Sequence, residues 1–160
     1  MAPDDTSARM LADRISDASL GLFDVATIYL GERLGFYRAL DAAGPLTPGE
    51  LAAATATRER FVREWCEQQA ATGILACPDA GAEPGERRFE LPPGHAEVLA
   101  CRDGPAYAAG GLHGQVSAVA ALPALPDVVR IASPAEPDGA AGLDAAEGIG
   151  EGNRPLFRHL

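Results

Sequence analysis

The chain has 160 residues, 47% of them hydrophobic, and a formal net charge of −10. That length suits one domain or a domain with an appendage, and the acidity argues against a broad nucleic-acid footprint, which relies on clustered positive charge. Cys66, Cys77 and Cys101 are odd in number and unpaired in spacing, which points to thiols of a reducing cytoplasm rather than to a disulfide or metal framework.

Residues 1–6 are polar, and no charged-then-apolar leader or long apolar run suggests export or membrane insertion. From Ser7 the pattern becomes helical. Leu11, Ile15, Ala18, Leu22, Ala26 and Tyr29 recur at spacings of three and four and so share one stripe, which Phe23 and Leu30 broaden. A stripe this long needs a partner beyond a small domain. Gly31 reads as its break, with a second helix over 32–42 that turns Leu34, Tyr37 and Leu40 inward and closes at Gly44-Pro45.

The densest local signal follows. Thr47, Pro48 and Glu50 spell a capping box with proline at the first helical position. Thr57 reads as the cap of a further helix over 58–72, and Gly73 sits where a left-handed C-terminal cap belongs. Phe61, Val62, Trp65 and Gln69 are expected near the core, with Arg58, Arg60 and Arg63 on exposed early turns. Strands over 74–77 and 88–91, around a tip at 78–88, complete the expected fold class. It is a mainly helical winged helix-turn-helix with a small two-stranded wing, a long N-terminal helix and a helical C-terminal tail.

Past Pro92-Pro93-Gly94, residues 95–100 read as one or two helical turns. Pro105 is expected to open another apolar helix through Leu112, Val116, Val119 and Leu122, weakened by Gly110, Gly111 and Gly114 and interrupted by Pro123 and Pro126. Residues 133–142 read as a mobile Pro/Gly/Ala/acidic linker. The expected organisation is a winged-helix dimerisation domain over 1–100 and a helical connector over 101–160.

Little in the chain points to chemistry. Between Thr47 and Leu91 five arginines meet eight acids, and Glu59, Glu64 and Glu67 lie at helical spacing from Arg58, Arg60 and Arg63, close enough to pair with them. That balance argues against DNA reading. Glu147-Gly148-Ile149-Gly150-Glu151-Gly152 has the acidic, glycine-rich look of a nucleotide loop, but no β-branched strand precedes it, so it reads as a decoy. His95, His113 and His159 lie in three separate segments with no ligand spacing. Trp65 reads as a core anchor. Tyr29 and Phe36 could face a substrate, although a core role suits both better. No catalytic, cofactor-binding or metal-ligating residue is assigned.

Several strings in combination nonetheless resemble a family. They are residues 30–40 (LGERLGFYRAL) followed by Gly44-Pro45-Leu46-Thr47, residues 60–71 (RFVREWCEQQAA), residues 88–99 (RFELPPGHAEVL), Pro105-Ala106-Tyr107, and Asn153-Arg154-Pro155-Leu156-Phe157. Together these are similar to the N-terminal winged-helix region of a bacterial class I S-adenosylmethionine-dependent methyltransferase. The resemblance implies a region that dimerises, as a homodimer or with a full-length relative, and that roofs a small-molecule pocket. It implies that the donor S-adenosylmethionine is held by a following doubly wound domain missing from this chain, which alone would be inactive. The glycine- and proline-rich stretches at 110–114 and 130–142 depart from the family pattern. The competing expectation is a stand-alone winged-helix DNA-binding regulator.

Overall fold

The first helix, α1 (Asp5–Leu34), runs unbroken through Gly31, contrary to the expected break there. Gly31 is buried against the aromatic core: a Cβ at this position would lie 2.5 Å from Trp65 Cζ2 and 2.7 Å from Tyr37 Cε2. The glycine is present so that two aromatic rings can touch the helix backbone, not to end the helix. The break falls at Gly35, whose φ of 78° is left-handed. Leu34 consequently ends α1 and stays exposed rather than turning inward. The computed structural model describes residues 5–130, which divide after Gly110 into two units.

In the first unit α2 (Phe36–Ala43) buries Phe36, Tyr37 and Leu40 and stops at Gly44, with φ of 79°. The capping box then forms as the sequence requires. The Thr47 N–H donates to Glu50 Oε2 at 2.8 Å and the Glu50 N–H to Thr47 Oγ1 at 3.2 Å, starting α3 (Pro48–Thr55). Helix α4 (Glu59–Ala71) starts from Arg58 with no side-chain cap. Thr57 is not the cap, because its hydroxyl is engaged with that of Thr55 at 2.9 Å. The end of α4 is a Schellman turn around Gly73 (φ 77°): the Ile74 N–H reaches Gln69 O at 2.8 Å and the Gly73 N–H reaches Ala70 O at 3.0 Å.

One face of α4, Val62, Trp65, Cys66 and Gln69, is buried. These positions follow the i, i+3, i+4, i+7 spacing of a single helical face. Phe61 lies one residue step, about 100°, off that face and is 66% exposed, so its expected core role does not hold. The core is completed by Leu51, Leu75, Phe89, Leu91 and Leu99, the last from α5 (Pro93–Leu99).

The wing is smaller than the sequence suggests. Segments 74–77 and 88–91 pair through a single antiparallel bridge, Ala76 with Glu90, while Phe89 pairs on its other side with Leu46. Alternate residues of an extended segment direct their hydrogen bonds to opposite neighbours, so 88–91 lies between two partners. Leu46, just before the capping box, was not foreseen as a strand. Arg88 secures this corner with a two-pronged ion pair to Glu50 (2.9 and 3.0 Å) and a bond to Pro45 O at 3.0 Å.

After α5 the chain turns through 101–107 and returns to α5, the Ala108 N–H donating to Val98 O at 3.0 Å. Here Gly110 packs on Tyr107, whose Cε1 would stand 2.8 Å from an added Cβ. Those turns displace the helix expected from Pro105. In the second unit α6 (Leu112–Ala121) begins seven residues later, and a 3-10 turn at Leu122–Ala124 leads into α7 (Leu125–Val129). Pro123 occupies that turn and Pro126 the first turn of α7, where a missing N–H breaks no bond. The linker expected at 133–142 and the final segment lie outside the described residues.

The end of α1 is tied to the returning chain by a buried charge. Glu32 is 2% exposed and its Oε1 accepts from Arg102, from Arg38 at 3.4 Å and from the Tyr107 hydroxyl at 3.2 Å. Burial first, and the Glu32 charge second, hold the Tyr107 phenol above the ordinary tyrosine range. The Arg38 and Arg102 side chains are about half exposed, at 43% and 55%, so either can rehydrate if its partner is lost; the carboxylate cannot. Urea denaturation should therefore show an asymmetry. Glu32→Gln costs about 1–2 kcal/mol, whereas the double variant Arg38→Met/Arg102→Met, which strips the buried carboxylate of two guanidinium groups, costs about 3 kcal/mol or more. Equal costs would contradict this account.

The capping box supplies a pH dependence. The Thr47 backbone N–H first, and the Arg88 side chain second, hold the Glu50 carboxyl below its ordinary value of 4.5. A carboxyl lowered in the folded state stabilises at pH above its unfolded value, and that contribution is lost as pH falls through the folded value. Thermal melts of the wild type should therefore fall more steeply than those of Glu50→Gln below pH 4.5 and converge with them on the acid side. Parallel curves would contradict the assignment.

Candidate functional site

Helix α1 presents two different faces. Its last three turns meet α4 through Asp24, Thr27 and Gly31, and Ile28 packs on the core cluster. The Trp65 indole N–H donates to Thr27 O at 2.9 Å, and Gln69 Nε2 donates to Thr27 Oγ1 at 3.2 Å. The Tyr37 hydroxyl donates to Gln69 Oε1 at 2.5 Å, and Gln68 Nε2 reaches Asp24 Oδ1 at 3.4 Å. The Trp65 ring packs on Phe36 and Tyr37 with centroids 4.7 and 5.3 Å away. Burial holds the Tyr37 phenol far above its usual range, so it stays a neutral donor.

The stripe from Leu11 to Tyr29 lies elsewhere. At 100° per residue its centre is roughly 165° around the helix from the docked face. Leu11, Ile15 and Leu22 on it are 57%, 59% and 46% exposed, and Ala26 and Tyr29 are half-buried. Between Ser7 and Tyr29 no residue in that 120° arc is charged, because Arg9, Asp13, Arg14, Asp17 and Asp24 all point elsewhere. Leu20, Phe23, Leu30 and Leu34 add a second exposed apolar flank. The exposed apolar residues of α1 thus follow one another along the helix rather than standing singly.

The other residues singled out by the sequence do not converge on a reactive centre. Phe36 is in the core and Tyr29 is on the α1 stripe. The His95 Nδ1 lies 2.8 Å from Ile74 O, a structural bond across the base of the wing. His113 is in the second unit, while His159 and the glycine-rich stretch 147–152 lie outside the described residues. Burial first, and the Glu67 charge second, push the Cys66 thiol up to about 12, which keeps it inert. No group of three or more potential metal ligands occurs among the described residues. A cleft of about 280 Å³ between the end of α2 and the wing is lined by Asp41, Pro45, Glu90, Pro92 and Pro93, and its only ionisable groups are two carboxylates.

The expected pairing along α4 is also absent. Glu67 bonds instead to Arg87 of the wing at 2.8 Å and Glu50 to Arg88, while Arg58, Arg60 and Arg63 make no ion pair among the described residues. A wing arginine distant in sequence, Arg87, takes one of the three α4 acids, Glu67, that a helix-only reading pairs within α4. No helix among the described residues is long and apolar enough to cross a membrane.

Comparison with known proteins gives this geometry a family. The fold matches human N-acetylserotonin methyltransferase in complex with SAM, with 17% identity, coverage of 81% of this chain and 36% of that one, and a TM-score of 0.59. It matches the mitomycin 7-O-methyltransferase MmcR at 22% identity, 91% and 46% coverage, and a TM-score of 0.58. An O-methyltransferase family protein from Burkholderia thailandensis matches at 16% identity, 92% and 42% coverage, and a TM-score of 0.60. The matched part is their N-terminal region, and this chain spans less than half the length of each. No curated protein sequence matches the chain. Residues 21–101, which hold the docked turns of α1, the helix-turn-helix and the wing, match the Rv2258c-like winged HTH domain, and the chain belongs to that family.

Proposed function

We propose that this chain is the dimerising, pocket-covering winged-helix region of an S-adenosylmethionine-dependent methyltransferase that acts on a small molecule. One observation carries the reading: in a fold shared with the N-terminal region of such enzymes, α1 keeps a charge-free apolar stripe turned away from its own unit. Leaving that stripe in water forgoes about 25 cal/mol per Å² of apolar surface, and a second protein surface recovers it. Methyl transfer needs the donor and acceptor held in line. In this reading no described residue holds the donor; α1 and the winged helix assemble the subunits and close one side of the acceptor pocket.

Arg58, Arg60 and Arg63, without an ion pair among the described residues, favour a second reading, a DNA-contacting α4. Against it, Glu59 and Glu64 stand among the arginines on the same short surface, and repulsion of phosphate by these acids offsets the attraction.

Three measurements separate the readings. Light scattering at tens of micromolar should give twice the 16.5 kDa chain mass. Ile15→Asp/Leu22→Asp should return it to the single-chain mass with Trp65 fluorescence unchanged. Calorimetry with S-adenosylmethionine should show no binding at micromolar concentration, and random duplex DNA should remain unshifted at low salt. A monomeric wild type would contradict the assembly role, a micromolar donor site the division of labour, and a shifted duplex the choice between readings.

A further inference from the structure

Resting on the assembly reading above, we propose that the α1 stripe is self-complementary. It pairs with a second copy of itself running antiparallel, about a two-fold axis between Ala18 and Ser19.

With Ala8 and Ser19, which border it on the same arc, the stripe is palindromic in spacing about that point. Counting outward from the axis, Ala18 meets Ser19 of the second copy, Ile15 meets Leu22, Leu11 meets Ala26 and Ala8 meets Tyr29. Each contact occurs twice, as an isologous interface requires. The sizes also match. Two small residues, Ala18 and Ser19, sit at the axis, where helices approach to about 8 Å, and outward of Ile15 and Leu22 each bulky side chain is set against an alanine. A parallel, in-register pair instead stacks Leu11 on Leu11 and Ala26 on Ala26, alternating crowded and empty layers. Antiparallel packing also sets opposite ends of the two helix dipoles together.

Exposure along α1 agrees with this arrangement. Residues 6–22 are exposed within their own unit, whereas 24–29 are half-buried by docking on α4. An antiparallel mate lays the uncovered first turns of one copy along the supported last turns of the other, so each docked body braces the free half of its neighbour. The absence of charge from the arc between Ser7 and Tyr29 means that no ion is desolvated in bringing the two together.

The test uses the full chain with Cys101→Ser, which removes the exposed native thiol. Two single variants, Leu11→Cys and Ala26→Cys, carry different mass tags and are oxidised separately and as a mixture. Antiparallel pairing separates the two copies of position 11 by roughly 22 Å along the axis, far beyond the ~7 Å Cα limit for a disulfide. The mixture should therefore give at least tenfold more 11–26 heterodisulfide than either variant gives homodisulfide. Dimers that form 11–11 and 26–26 bonds, or no bond between positions 11 and 26, overturn the register while leaving the assembly role standing. A monomer by light scattering in the parent protein overturns the assembly role and this inference with it.

Discussion

The close approach of α1 to the aromatic pair Trp65 and Tyr37 at Gly31 organises the rest of the molecule. An added methyl group would overlap both rings, and overpacking of that kind typically costs 1–3 kcal/mol. The contact fixes more than distance. It brings Thr27 to the Trp65 indole and to Gln69, and Gln69 to the Tyr37 hydroxyl, so every buried polar group at the junction finds a partner. A buried indole or amide without one would cost about 1–3 kcal/mol. Because these bonds join residues some thirty to forty positions apart in the chain, they hold α1 at one rotation relative to α4. That rotation leaves the stripe from Leu11 to Leu22 exposed, with Ala26 and Tyr29 half-buried at its end.

The Glu32 cluster works in the same direction. By joining the end of α1 to Arg102 and Tyr107, it makes the chain beyond α5 part of the frame that orients the helix. In the proposed reading the winged helix is less a reader than a mount: its wing arginines are engaged with Glu50 and Glu67, and its recognition-helix position carries a surface of mixed charge.

How legible this was in the sequence depended on how local the cause was. The Thr47–Glu50 capping box and the Gly73 cap are complete within a few residues, and both formed as read. Gly31 and Gly35 look alike in sequence, yet one is a contact and the other a turn. What distinguishes them is Trp65, thirty-four residues further on. Phe61 was misplaced because its size outweighed its phase; Val62, Trp65, Cys66 and Gln69 define the buried face, and Phe61 lies off it. Leu46 as a wing partner and Arg87 as the partner of Glu67 depend on tertiary approach, which spacing does not encode. The α1 stripe, by contrast, was plain from periodicity. What the structure adds is that the stripe and the docked face are different sides of one helix.

Hydrogen exchange across α1 tests that division most directly. In dilute protein, amides of 24–34 should be protected to the same degree as the helix-turn-helix core, while those of 8–22 exchange quickly. Raising the concentration should slow only the second group. Exchange of 24–34 as fast as that of 8–22 in dilute solution would contradict the account, since the last turns of α1 would then not belong to the core that orients its free face.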